Sequence, residues 1–238
     1  MTKTLISAVL LSAFISQAAL AASSSAQIDW STFSVELVDL DTLDGTAPSI
    51  NWTSKYSWAS VTDEAVRDEA PSWTTGVQAA YGTSLAVVND TSNYAETSTV
   101  FGSPFLQYGL AERGGYFELS QNTSAIFKVS GKYATQVDNP DETISAWIGL
   151  FVSGPGEEGS GTQFDGATIG WNGYVYTPHS DEGTIAVTFT NLSSSSLSGR
   201  LHTEAYASAY VAAVPEPESY AMLLAGLSLM GLVVRRRI

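Results

Sequence analysis

TIAVTFT at residues 184–190 and GRLHTEAYASAYV at residues 199–211 decide the fold class. In the first, Ile185, Val187 and Phe189 alternate with Thr184, Ala186, Thr188 and Thr190. In the second, Leu201, Thr203, Ala205, Ala207, Ala209 and Val211 alternate with Arg200, His202, Glu204, Tyr206, Ser208 and Tyr210. Successive side chains of a strand point to opposite faces, so a period of two with one apolar set is the pattern of a half-buried strand. The polar stretch NLSSSSLS at residues 191–198 reads as a loop that joins the two into a hairpin.

The same reading extends outward. ISAWIGLFV at residues 144–152 is apolar on both faces, with Trp147 and Phe151 opposite Ile144, Ile148 and Leu150. That pattern predicts a central strand covered on both sides, with Trp147 in the core. Further strands are predicted over residues 32–40, 49–58, 84–89, 116–120, 124–130 and 132–137, with Gly114, Gly115 and Gly131 as turn punctuation. Residues 59–70 read as a short helix with Asp63, Glu64, Asp68 and Glu69 on its solvated side. Crossover helices, which parallel strands require, are lacking, and no repeat of 20–50 residues is present. The fold expected is all-β, a single antiparallel β-sandwich or jelly-roll-like domain over residues 22–214.

Composition narrows the function classes. The 238 residues include no cysteine, which excludes a disulfide framework, a Cys-ligated zinc and a thiol nucleophile. Ten Lys and Arg against 24 Asp and Glu give a net charge of −14, so phosphate backbones repel the chain and nucleic acid is not an expected partner. Residues 22–214 are more acidic still, with six basic residues against 22 acids.

The two ends differ from this body. Lys3, the apolar run LISAVLLSAFI at residues 5–15 and the small residues Ala19 and Ala21 form a secretory signal peptide over residues 1–21, cut after Ala21. At the other end come Pro215, Glu216 and Pro217, whose prolines block helix and ladder pairing. Residues 219–234 follow without a charge, and then Arg235, Arg236 and Arg237, which stay on the cytoplasmic side of a membrane. Sixteen residues span about 24 Å as a helix, a short transmembrane segment for a hydrocarbon core of ~30 Å.

This Pro-Glu-Pro triplet, short apolar helix and terminal arginine cluster over residues 215–238 resemble the PEP-CTERM sorting signal. The resemblance implies recognition by an exosortase, a membrane protease-transpeptidase, and removal of the tail near the Pro-Glu-Pro motif. It further implies a Gram-negative host that makes exopolysaccharide. The protein would be exported through the inner membrane, anchored there transiently, and delivered to the outer surface or extracellular matrix, with exopolysaccharide as an associated partner.

Chemistry in the exported body is sparse. His179 lies in a loop near Asp181 without a nucleophile elbow, His202 lies on the polar side of a strand, and Ser193 to Ser196 form a low-complexity turn. No catalytic residue is assigned, and the protein is not expected to be an enzyme; a pair of carboxylates meeting in space would make it a secreted hydrolase instead. Asp39, Asp41 and Asp44, followed by Gly45, offer hard oxygen donors for calcium, or else serve as solubility charge. Among Trp30, Trp52, Trp58, Trp73, Trp147 and Trp171, the last sits between glycines in GWNGY with Tyr174, and these two are the candidate carbohydrate contacts. The leading expectation is a non-catalytic surface or matrix protein; the alternative is a carbohydrate-binding module, with or without calcium.

Overall fold

The computed structural model describes residues 22–62, 66–98, 106–137, 142–154, 164–175 and 177–211, with backbone alone at 142, 171–175 and 211. The expected signal peptide and C-terminal apolar helix lie outside these residues. Every regular element described is a β-strand: β1 (Ser23–Asp39), β2 (Ile50–Val61), β3 (Val66–Ala70), β4 (Val77–Tyr81), β5 (Ser84–Asn89), β6 (Ser92–Ser98), β7 (Gln107–Leu119), β8 (Thr123–Gln136), β9 (Glu142–Ser153), β10 (Phe164–Val175), β11 (His179–Asn191) and β12 (Leu197–Val211). They form two six-stranded sheets. Sheet A has the order β11-β8-β1-β6-β5-β4, and sheet B the order β10-β9-β12-β7-β2-β3. Every pairing is antiparallel.

One core lies between the sheets. Sheet A contributes Ala26, Ile28, Phe127, Val129, Val187 and Phe189, and sheet B contributes Phe117, Ile148, Leu150, Val152, Leu201 and Ala205, none more than 1% exposed. Period-two alternation supplies these residues, as the patterns of β9, β11 and β12 predict. In β1 the alternation changes phase. Before residue 29 the buried positions are Ser24, Ala26 and Ile28; after a register shift between Asp29 and Ser34, Phe33, Val35 and Leu37 turn to the core. A bulge adds residues to one strand of a pair, so it re-aims every side chain beyond it. The bulge carries Trp30 and Phe33, stacked at 4.2 Å and 6°, and Trp73 meets both edge-on at 5.3 and 5.9 Å.

Four expectations are corrected. Residues 184–190 and 199–211 do not form a hairpin. β11 pairs with β8 in sheet A and β12 pairs with β7 and β9 in sheet B, so residues 191–197 cross from one sheet to the other. Asn191 fixes that crossing by donating from Nδ2 to the carbonyls of Leu119, Ser120 and Ser195 at 2.7–3.1 Å. Residues 59–61 and 66–70 are strand rather than helix, because β2 and β3 pair antiparallel there and place Ala59, Val61 and Ala70 in the core. Gly131, Gly114 and Gly115 lie within strands. At Gly131 a Cβ would stand 2.5 Å from Ile148 Cδ1 of the opposite sheet, so the position is small because a core side chain fills the space. Trp147 is half-buried on the outside of sheet B rather than in the core.

A charged side chain is enclosed between the sheets. Arg113, fully buried, projects between the sheets with its guanidinium 4.6 Å from the Trp30 ring and Nη2 donating to the Asn89 carbonyl. Burial lowers its pKa to about 10, against the opposing pull of Asp90.

The free edge of β11 is guarded. Asp165 of β10 reaches across from sheet B, and its Oδ2 accepts from the backbone N–H of Thr188 at 2.8 Å. An inward-facing carboxylate occupies a donor that another strand would otherwise take, a device that blocks edge-to-edge pairing. Asp165→Ala should therefore leave the monomer folded but make it associate as concentration rises, as measured by analytical ultracentrifugation. A variant that stays monomeric over the range would remove this role from Asp165.

Candidate functional site

The outer faces of the two sheets differ in chemistry. Along β11, the outward residues of sheet A include Thr184, Thr188 and Thr190, and Ser130 and Ser124 of β8 pair with Thr184 and Thr190 through hydroxyls at 2.7 and 3.0 Å. The same face carries the Lys128–Glu36 ion pair at 2.9 Å, whereas sheet B turns rows of aromatic rings outward.

Two aromatic rows cross sheet B. In one, Tyr108 of β7, Tyr206 of β12 and Trp147 of β9 lie with ring centroids 5.9 and 5.7 Å apart and planes within 29°. In the other, Phe164 of β10, Phe151 of β9 and His202 of β12 lie 6.4 and 5.0 Å apart, within 24°. Trp147 and Phe151 join the rows edge-on at 6.2 Å. Strand glycines make room for Phe151 and the edge of Trp147. A Cβ at Gly149 would stand 2.4 Å from Phe151 Cε2 and 2.7 Å from Trp147 Cζ3, and one at Gly166 would stand 2.7 Å from Phe151 Cδ1. Glycines in the strands thus form the floor on which the rings rest. Phe164 remains 54% exposed at the margin.

A polar centre lies beside the rows. The Tyr56 hydroxyl donates to Glu112 Oε1 at 2.5 Å, and Arg200 Nη2 donates to the Tyr56 oxygen at 2.9 Å and approaches the same carboxylate oxygen at 3.4 Å. Tyr56 reaches Glu112 because its ring lies over Gly114, where a Cβ would stand 2.5 Å from its oxygen. Glu204 lies directly opposite Glu112 in the β12–β7 ladder, and His202 Nε2 meets its Oε1 at 3.2 Å. Burial raises the Glu112 pKa and the neighbouring Glu204 adds to that, outweighing the Tyr56 hydrogen bond, His202 and Arg200. Burial, with Glu112 next, raises Tyr56 in the same way.

Of the sequence-predicted residues, Asp39, Asp41 and Asp44 stand apart from this face. Trp171 and Tyr174 lie on β10, with Trp171 opposite Ala146 in the ladder, and their side chains are outside the described residues. Asp39, Asp41 and Asp44 share a turn at the far end of sheet A. Each carboxylate accepts from the backbone N–H two residues on, at 3.0, 3.1 and 2.7 Å, and Asp44 also holds Asn122 at 2.8 Å. Among the described residues no three His, Asp or Glu side chains gather as metal ligands. Ala19, Ala21, Pro215, Glu216, Pro217 and the three terminal arginines lie outside the described residues. Sequence reasoning missed Tyr56, Glu112, Arg200, Glu204, Tyr108 and Tyr206. The signal for them was the row of Arg, His, Glu and Tyr on one side of residues 200–206.

Residues 213–237 match the family model of the PEP-CTERM protein-sorting motif. The tail is a PEP-CTERM sorting signal. That signal implies export and exosortase-dependent sorting to the cell surface, which makes the β-sandwich the part that is delivered. The match covers about a tenth of the chain. No curated protein and no solved structure matches it significantly.

Glu112 sets a pH dependence. Its folded pKa lies above the ordinary value of 4.5, so its contribution to stability is complete below that value and is lost as pH rises through the raised one. Glu112→Gln keeps the acceptor for Tyr56 without the charge. Its melting temperature relative to wild type should rise between about pH 4 and about pH 7 in a calorimetric series. A constant difference across that range would show that Glu112 titrates normally.

Proposed function

We propose that the PEP-CTERM-sorted domain is a non-catalytic surface module that holds a neutral polysaccharide of the extracellular matrix against the outer face of sheet B. The observation that carries this reading is the pair of aromatic rows, each with its own ring planes within 29° of one another, because ring faces stack on the apolar faces of sugars. Glu204 and Arg200, both partly exposed beside the rows, offer partners for sugar hydroxyls. The strongly acidic body argues for an uncharged ligand, since an anionic polymer would be repelled over most of the surface. The non-catalytic reading is supported by the engagement of both carboxylates within the protein: Glu112 with Tyr56 and Arg200, Glu204 with His202.

A second reading has one observation in its favour. Glu112 and Glu204 face each other on neighbouring strands, close enough for Glu204 to raise the Glu112 pKa, and glycosidases work with two such neighbouring carboxyl groups.

Three outcomes are expected. Tyr206→Ala should weaken retention on an insoluble neutral polysaccharide by about tenfold, or ~1.4 kcal/mol, with little change in melting temperature. Unchanged retention would move the contact elsewhere. Wild-type protein incubated with the same polymer should release no new reducing ends; release that Glu204→Gln abolishes would establish the hydrolase. Intact-mass analysis of the surface form should show a C-terminus at or near Pro215, Glu216 or Pro217, and a form that keeps Ile238 would overturn the processing.

A further inference from the structure

The two ends of the folded domain meet. β1 begins at Ser23 in sheet A, β12 ends at Val211 in sheet B, and the two strands face each other across the core. Ser24 Oγ donates to the Ser208 carbonyl at 2.9 Å, and Ala22, Ile144 and Ala209 form a small buried cluster with Val137 packed against it. The new chain end made by cleavage after Ala21 and the start of the sorting tail therefore leave from one pole of the sandwich. A groove of about 560 Å³ opens there, with a polar lining that includes Ser23, Tyr94, Glu96, Gln136 and His179.

Chain length restricts what this pole can do. Pro215 lies four positions on from Val211, a reach of roughly 14 Å, and Ser219 eight positions on, roughly 28 Å. The 15 residues of β12 carry the opposite pole about 50 Å further along the strand axis. That pole holds Leu43 and Leu192, 94% and 78% exposed.

We propose that, until the tail is cut, the domain stands on the membrane on the pole that carries both chain ends, with the Leu43 and Leu192 loops pointing outward. The polar groove at the base faces headgroups rather than hydrocarbon. The strands stand away from the bilayer, so the aromatic face of sheet B looks sideways and is open to polymer even in the tethered precursor. The orientation rests on the tail crossing the membrane before cleavage, and the test separates the two.

The chain has no cysteine, so single substitutions give unique labelling sites. Ser180→Cys and Tyr81→Cys mark the tail pole and Leu43→Cys the opposite one; all three positions are exposed. The probe is a bulky, membrane-impermeant maleimide polymer. It is applied to the full-length precursor held in membranes of a host that lacks the sorting protease, and to the cleaved form. The two base positions should label several-fold more slowly than Leu43→Cys in the precursor and equally fast after cleavage. A membrane-bound precursor with equal rates at all three sites would overturn the orientation. A precursor recovered in the soluble fraction would overturn the tether on which it rests.

Discussion

Each strand of the sandwich points alternate residues inward, and that two-residue period governs everything else in the domain. Once Ile185, Val187 and Phe189, or Leu201, Ala205 and Ala207, are committed to the core, the residues between them must face out. The outer faces are then free to diverge. Sheet A carries hydroxyls and the Lys128–Glu36 ion pair on its outside, and sheet B carries rows of rings. The bulge in β1 shows the same constraint in reverse, because a few extra residues exchange the faces and a cluster of Trp30, Phe33 and Trp73 has to fill the step.

Strands were legible where alternation ran long and unbroken, as in β5, β9, β11 and β12. What failed was the information carried between strands. A polar Ser-rich loop looks the same whether it closes a hairpin or climbs from one sheet to the other, so residues 191–197 were misread. The difference lies in Asn191, whose bonds to Leu119 and Ser120 cannot be inferred from neighbours in sequence. Acidic and alanine-rich residues 59–70 have helical propensity, but burial of Val61 and Ala70 against the sheet overrides it. Gly131 reads as a turn because a strand glycine is unusual, and its reason, the Ile148 methyl, comes from the other sheet.

The sorting tail was fully legible because its signal is local and ordered along the chain. The outer face of sheet B was not, because it is assembled from four strands spread over more than ninety residues. Trp147 and Phe151 were recognised as a second apolar face of β9, yet a second apolar face fits a buried strand and an aromatic platform equally well. The glycines settle the difference. Gly149 and Gly166 open space that the rings cover from outside.

The facing of β1 and β12 also bears on when the protein can fold. The first strand of the domain lies in the middle of sheet A, and its counterpart across the core is the last strand to be made. Contacts so distant in sequence close slowly, since the entropy of the long loop is lost before they form. A chain threading out of a translocon would therefore stay open until residue 211 has emerged, which keeps it thin enough to pass and delays the burial of its β-rich segments. On the proposed anchoring of the tail, the short spacer before it would place that last strand outside the membrane as transfer stops. Completion of export and completion of the core would then be the same event.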